Sequence, residues 1–175
     1  MTYQIKSENT EFEAGLFSVK KVELSFPDGN SRAYDLVDIQ DAVTILPMDD
    51  EGNVYFVRQY RVGAGGMLLE LPAGKIEDGE DPASTAEREV REETGMAAGE
   101  LIHLGNFYMS PGYSNEFMYC YLARRLFHDP LIPDGDEFIH LEKISFGKVK
   151  EMIRSQQICD SKTLAVFMLA ESYMK

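Results

Sequence analysis

"GKIEDGEDPASTAEREVREETGM", residues 74–96, crowds Glu87, Glu89, Glu92 and Glu93 into the end of one helical segment that follows a glycine-bearing loop. Asp81-Pro82 marks the helix start, because an aspartate side chain accepts from free amides and proline is favoured at the first helical position. Gly95 marks the end, since glycine enters the left-handed region at little cost. At about 100° per residue, Ala83, Ala86, Val90 and Thr94 share one narrow stripe, mostly of small residues, that lets the helix lie close against a sheet. Glu89, Glu92 and Glu93 occupy a separate arc at i, i+3 and i+4, where side chains are neighbours. Arg88 stands four residues before Glu92 and is set to pair with it.

Like charges at that spacing destabilise a helix by about 0.2–0.5 kcal/mol per pair. A merely solvated acidic face would not require the cap, the close-packing stripe and the Gly74 turn to coincide with it. Hard divalent cations such as Mg²⁺ take carboxylate oxygens together with water and phosphate oxygens. A bound cation offsets the repulsion and explains the crowding.

The composition fits that chemistry. The chain of 175 residues, 44% hydrophobic and 27% charged, suits one domain with a sizeable core. Its net charge of −13 argues against a nucleic-acid or anionic-membrane partner. The same field repels an anionic substrate unless a cation inverts it locally. No apolar run reaches the ~18–20 residues of a membrane span. The opening residues lack a basic stretch followed by an apolar one, which points to the cytoplasm. Cys120 and Cys159 have no metal-type spacing, and His103, His128 and His140 form no HxH or HExxH pattern, so zinc is not expected.

Outward from the acidic helix, residues 14–26 and 31–39 read as a hairpin around the turn "PDGN". "AVTILPM" (42–48) reads as a buried strand and "VYFVRQYR" (54–61) as another, and "MLLELPAG" (67–74) follows, its end marking the entry to the acidic segment. "LIHLGNFYMS" and "FMYCYLARRLF" read as strands flanking the loop "PGYSNE". "FGKVKEMIRS" and "KTLAVFMLAESYM" have helical spacing. The expectation is an α+β domain over residues 41–175 preceded by an N-terminal strand extension over residues 1–40.

Gly74, Glu80 and "REVREETGM" together match G-x5-E-x7-R-E-U-x-E-E-x-G-U, with Val90 and Met96 at the bulky aliphatic positions U. The chain therefore resembles the Nudix hydrolases. "RQYR" at 58–61, "LELPAGKIE", and "SPGYSNE" at 110–116 are similar to the ADP-ribose pyrophosphatase branch of that family, and Pro111 is a marker of it. The resemblance implies an α/β/α sandwich with a mixed sheet. It also implies hydrolysis, with Mg²⁺ or Mn²⁺, of a nucleoside diphosphate linked to a further group. ADP-ribose and related ADP-sugars would be cleaved to AMP and a sugar phosphate.

By position, the resemblance implies that Glu89, Glu93 and the carbonyl of Ala73 are metal ligands. Glu92 is implied as a further ligand or a group that positions water. Glu80 and Arg88, with Gly74 and Gly95, are implied as structural support. Arg61 and Arg58 are expected to meet the diphosphate from one face of their strand. Pro111 and Glu116 are expected on the substrate side. The proton acceptor is expected in "IPDGDEFIH" (132–140), with Glu137 favoured over Asp134 and Asp136. In the resembling family the N-terminal segment forms a swapped homodimer. Competing expectations are a diphosphatase preferring GDP-mannose and, in a different class, a non-catalytic ADP-ribose sensor. A sensor would be expected to lose the metal glutamates, which this chain retains.

Overall fold

All six residues of β4 (Ala42–Pro47) are buried, the pattern of a strand covered on both faces. On one face, Val43 and Ile45 join Ala86 and Val90 of α1 (Pro82–Thr94) and Tyr121 and Ala123 of β9 (Phe117–His128) in a single apolar cluster. α3 (Ser161–Leu169) also packs on β4. β4 runs parallel to β9 and antiparallel to the short β7 (Ala73–Lys75), so the four-stranded sheet, ordered β7-β4-β9-β8 with β8 at Met96–Tyr108, is mixed. A second, antiparallel sheet places β5 (Asn53–Arg61) between β6 (Gly66–Glu70) and β10 (His140–Ser145). Phe56 of β5 stacks on Phe167 of α3, which stacks in turn on Phe146 at the start of α2 (Phe146–Arg154). The result is the α+β arrangement expected from the pattern of the sequence, with a mixed sheet and three helices among the described residues.

The computed structural model describes residues 2–132 and 138–174. They form two compact units. Met1–Asp41 and Tyr108–Phe117 make one; Ala42–Phe107 and Met118–Lys175 make the other. The first unit is a three-stranded antiparallel sheet in the order β1 (Gln4–Glu13), β2 (Ser18–Ser25), β3 (Ser31–Asp38). The segment 108–117 joins it through backbone bonds: Val37 N donates to Tyr113 O at 2.7 Å and Asn115 N donates to Val37 O at 3.2 Å. Asn115 Oδ1 also accepts from Ile39 N at 3.0 Å.

Two strands were not legible. β1 replaces the expected two-stranded hairpin with a three-stranded meander. Its sequence "QIKSENTEFE" leaves almost every residue exposed, so it has no buried face to impose apolar alternation, and only its ladder with β2 defines it. β10 lies within and after the stretch read as an acidic loop. It is an exposed edge strand whose alternation is weak, and its pairing with β5 holds it in place.

Candidate functional site

The acidic helix begins and ends as its sequence dictates. Asp81 accepts from Ala83 N at 3.0 Å and Ser84 N at 3.2 Å, Pro82 takes the first turn, and Gly95 closes the helix at φ 72°. Because Ala86 and Val90 are fully buried against β4, the carboxylates one residue earlier or three later are carried along the same side toward β7. Glu89 and Glu93 are therefore only 8% and 6% exposed. Glu93 Oε2 accepts the backbone N–H of Ala73 at 3.1 Å. The Glu89 carboxylate lies on Gly74 so closely that a Cβ there would stand 1.8 Å from its Oε1. Gly74 thus makes the room that Glu89 occupies. Two carboxylates one helical turn apart meet two consecutive residues of one short strand.

Arg88 ties the preceding loop to the helix. Its Nε donates to Glu80 Oε1 at 3.0 Å and its Nη2 to Glu80 Oε2 at 2.9 Å, a two-pronged pair. Nη2 also donates to the carbonyl of Lys75 at 3.2 Å. Nη1 donates to Glu89 Oε1 at 2.6 Å and Glu92 Oε2 at 2.8 Å. The Arg88 guanidinium, with help from the Thr85 hydroxyl, holds the Glu80 carboxyl down at about 2, and its own pKa rises in return.

Among the described residues no three His, Cys, Asp or Glu side chains converge on one point, and Arg88 pairs with Glu89 and Glu92. The donor set nonetheless suits a hard divalent cation: it consists of oxygens alone, two of its carboxylates are nearly buried, and Gly74 supplies the cradle that admits one of them. Such a cation would compete with Arg88 for Glu89.

The two arginines of β5 do not share a face. They are three residues apart, and an odd offset reverses the side chain in an extended strand. Arg58 pairs with Glu142, which lies on the facing strand opposite Phe56. Arg61 pairs with Glu70, which lies opposite Val57. The contact is a fork: Arg61 Nε reaches Glu70 Oε1 and Nη2 reaches Oε2, both at 2.9 Å. The Arg61 pKa is raised, first by Glu70 and also by the charge of Glu93, so this arginine is within electrostatic reach of the acidic helix. Pro111 and Glu116 belong to the first unit, in the segment 108–117, where Met109 N donates to Glu116 O at 3.0 Å. Glu137, Asp134 and Asp136 lie outside the described residues.

Sequence reading missed the partners of Arg61. Glu70 is completely buried, and its Oε2 also receives Lys162 Nζ, an ammonium only 8% exposed. Burial works to raise the Glu70 pKa, but the Arg61 hydrogen bonds and the Lys162 charge outweigh it and hold the carboxyl below its ordinary range. A signal for Glu70 did exist: a lone carboxylate inside the apolar run "MLLELP" needs a cation. Nothing in the sequence singled out Lys162.

Residues 38–164 match the NUDIX domain family. The chain is 33% identical over 163 residues to the ADP-ribose pyrophosphatase of Bacillus subtilis (strain 168), covering 89% of this chain and 88% of that protein. It is 34% identical over 134 residues to the GDP-mannose pyrophosphatase of Salmonella typhimurium (strain LT2), covering 70% of this chain and 69% of that protein. Among solved structures, an ADP compounds hydrolase superposes with a TM-score of 0.89 at 25% identity, over 99% of this chain and 95% of that one.

Proposed function

The chain belongs to the Nudix family, and from that premise we propose that it hydrolyses ADP-ribose, with Mg²⁺ or Mn²⁺, to AMP and ribose 5-phosphate. That it is a Nudix pyrophosphohydrolase acting on nucleotide-sugar diphosphates follows from the family and its relatives. The observation that carries the finer reading is the placement of Glu89 and Glu93 against Ala73 and Gly74, with Arg61 within reach of Glu93.

In this reading Glu89, Glu93 and the carbonyl of Ala73 hold the cation. When bound, it neutralises the diphosphate and acidifies the attacking water. Glu92 stands beside Glu93 on the helix and orients that water. Arg88 and Glu80 would keep the loop after β7 fixed beside the glutamates that would hold the cation. Arg61 donates to the diphosphate through Nη1, because its Nε and part of Nη2 are spent on Glu70. Arg58, on the opposite face of β5 and paired with Glu142, is not assigned to the substrate; Pro111 and Glu116 are proposed as substrate-binding residues.

GDP-mannose is the second reading, favoured by the Salmonella relative. A panel of ADP-ribose, ADP-glucose, GDP-mannose, NADH and nucleoside triphosphates, compared by kcat/KM, discriminates by transition-state affinity. ADP-ribose is expected to rank first. An advantage of about tenfold or more for GDP-mannose would move the base assignment while leaving the diphosphatase chemistry in place.

We also propose that the strand extension of residues 1–40 pairs two copies into a homodimer. Supporting this, β1 is an exposed edge strand, and Ile5 and Phe12 on it are more than half exposed. Sedimentation is expected to show a dimer; a monomer at concentrations of full activity would end the proposal.

A further inference from the structure

Glu70, Lys162 and Asp160 take no direct part in the steps above, yet they form the support of the one arginine that does. Asp160 caps α3, accepting Thr163 N at 3.0 Å and the Thr163 hydroxyl at 2.7 Å through Oδ2. Its Oδ1 accepts Lys162 Nζ at 3.0 Å. The same ammonium donates to Glu70 Oε2, and Glu70 receives the Arg61 fork. Thr163 Oγ1 accepts from Leu71 N at 3.0 Å, so the same helical turn grips both Glu70 and the residue after it. Three and four residues beyond Glu70, Ala73 and Gly74 meet Glu93 and Glu89.

Burying an ammonium is costly, and an ion pair inside a protein is often no more stabilising than apolar side chains of equal size. Stability alone is a weak reason for Lys162. Orientation is a better one. Arg61 by itself already supplies Glu70 with a matching charge. Without a second contact, however, that carboxylate could swing about its own torsions and take the guanidinium with it. Lys162 fixes one oxygen, and Asp160 fixes Lys162.

We propose that Lys162 is a positioning residue for the diphosphatase reaction: acting through Glu70, it sets the direction in which Arg61 presents Nη1 to the substrate diphosphate. The inference rests on Arg61 being a diphosphate ligand, as proposed above.

The test is a double-mutant cycle of Lys162→Met and Arg61→Lys, read in two ways. One readout is kcat and KM for ADP-ribose with Mg²⁺. The other is calorimetric affinity for α,β-methylene ADP-ribose, whose bridging carbon prevents cleavage. Lys162→Met is expected to weaken analogue binding and raise KM by about tenfold in the Arg61 background. In the Arg61→Lys background the same change is expected to cost less than about twofold, because there is no fork left to orient. Lys162→Arg, which keeps a charged donor for Glu70, is expected to recover most of the affinity. Equal factors in both backgrounds, or a loss of thermal stability with KM and analogue affinity unchanged, would overturn the proposal and leave Lys162 a structural residue. If Lys162→Met does not fold, Lys162→Gln enters the cycle in its place and is judged by the same criterion. A wild type that neither binds the analogue nor cleaves ADP-ribose would instead overturn the functional reading, so the two failures are distinct.

Discussion

Glu93→Gln is expected to lower kcat for ADP-ribose by about 10³-fold, since each 1.36 kcal/mol of lost transition-state stabilisation is tenfold and a cation clamp on a diphosphate contributes several such steps. The fold should not notice. Glu93 Oε2 accepts one backbone N–H, from Ala73, and an amide oxygen can accept the same bond. Removing the charge relieves repulsion from Glu89 one turn earlier but forfeits attraction to Arg61, two small effects of opposite sign. Thermal melting without metal should therefore stay level or rise slightly. Adding Mg²⁺ should raise the melting temperature of the wild type, because a ligand that binds only the folded state stabilises it. The variant should lose that rise. Near-native turnover at saturating Mg²⁺ would remove Glu93 from the metal site.

Gly74→Ala is expected to lose activity while keeping its fold. The added methyl would stand 1.8 Å from Glu89 Oε1, 1.9 Å from Cδ and 2.5 Å from Oε2. No such contact can persist, and the three nearest atoms, which must yield, all belong to the end of one flexible side chain. The cost to stability should stay within about 1 kcal/mol. The carboxylate, however, must move by an ångström or more, and a misplacement of about 1 Å at a reacting centre can cost 10²-fold. kcat/KM should fall by roughly that factor, with a higher Mg²⁺ requirement. Adding Glu89→Asp shortens the side chain and returns room, so the double variant should recover part of the loss. Wild-type kinetics in Gly74→Ala would mean that Glu89 is not needed where it lies.

What could be read from the residues divides along physical lines. α1 was legible to the residue at both ends because its signals are local: a cap at Asp81, a proline at its first position and a left-handed glycine at Gly95. β4 was legible because a strand buried on both faces is a continuous apolar run. β1 was not, because it has no buried face to impose periodicity, and β10 was not, because its partner β5 lies far away in the chain. The acidic helix announced its chemistry, since crowded like charges need a reason. The Arg61 support did not: Lys162 and Glu70 are 92 residues apart, and only the packing of α3 brings them together. Arg58 and Arg61 illustrate a smaller failure, in which adjacency in "RQYR" suggested a shared face that strand alternation forbids.

The central position of β4 bears on how the chain acquires its fold during synthesis. Its parallel partner is β9, and paired residues such as Ala42 and Met118 lie 76 positions apart. At about 5–20 residues per second, a ribosome takes roughly 4–15 s to add that many residues. Over that interval β4 can pair only with β7, over Ala42 to Thr44. Ile45 and Leu46, fully buried in the end, have no strand beside them on the other edge until β9 emerges. Non-local pairing of this kind is slow, because loop closure must precede the contacts that reward it. The fully buried strand of the sheet thus waits for its parallel partner, and until then it stays open to chaperones and to neighbouring unfinished copies.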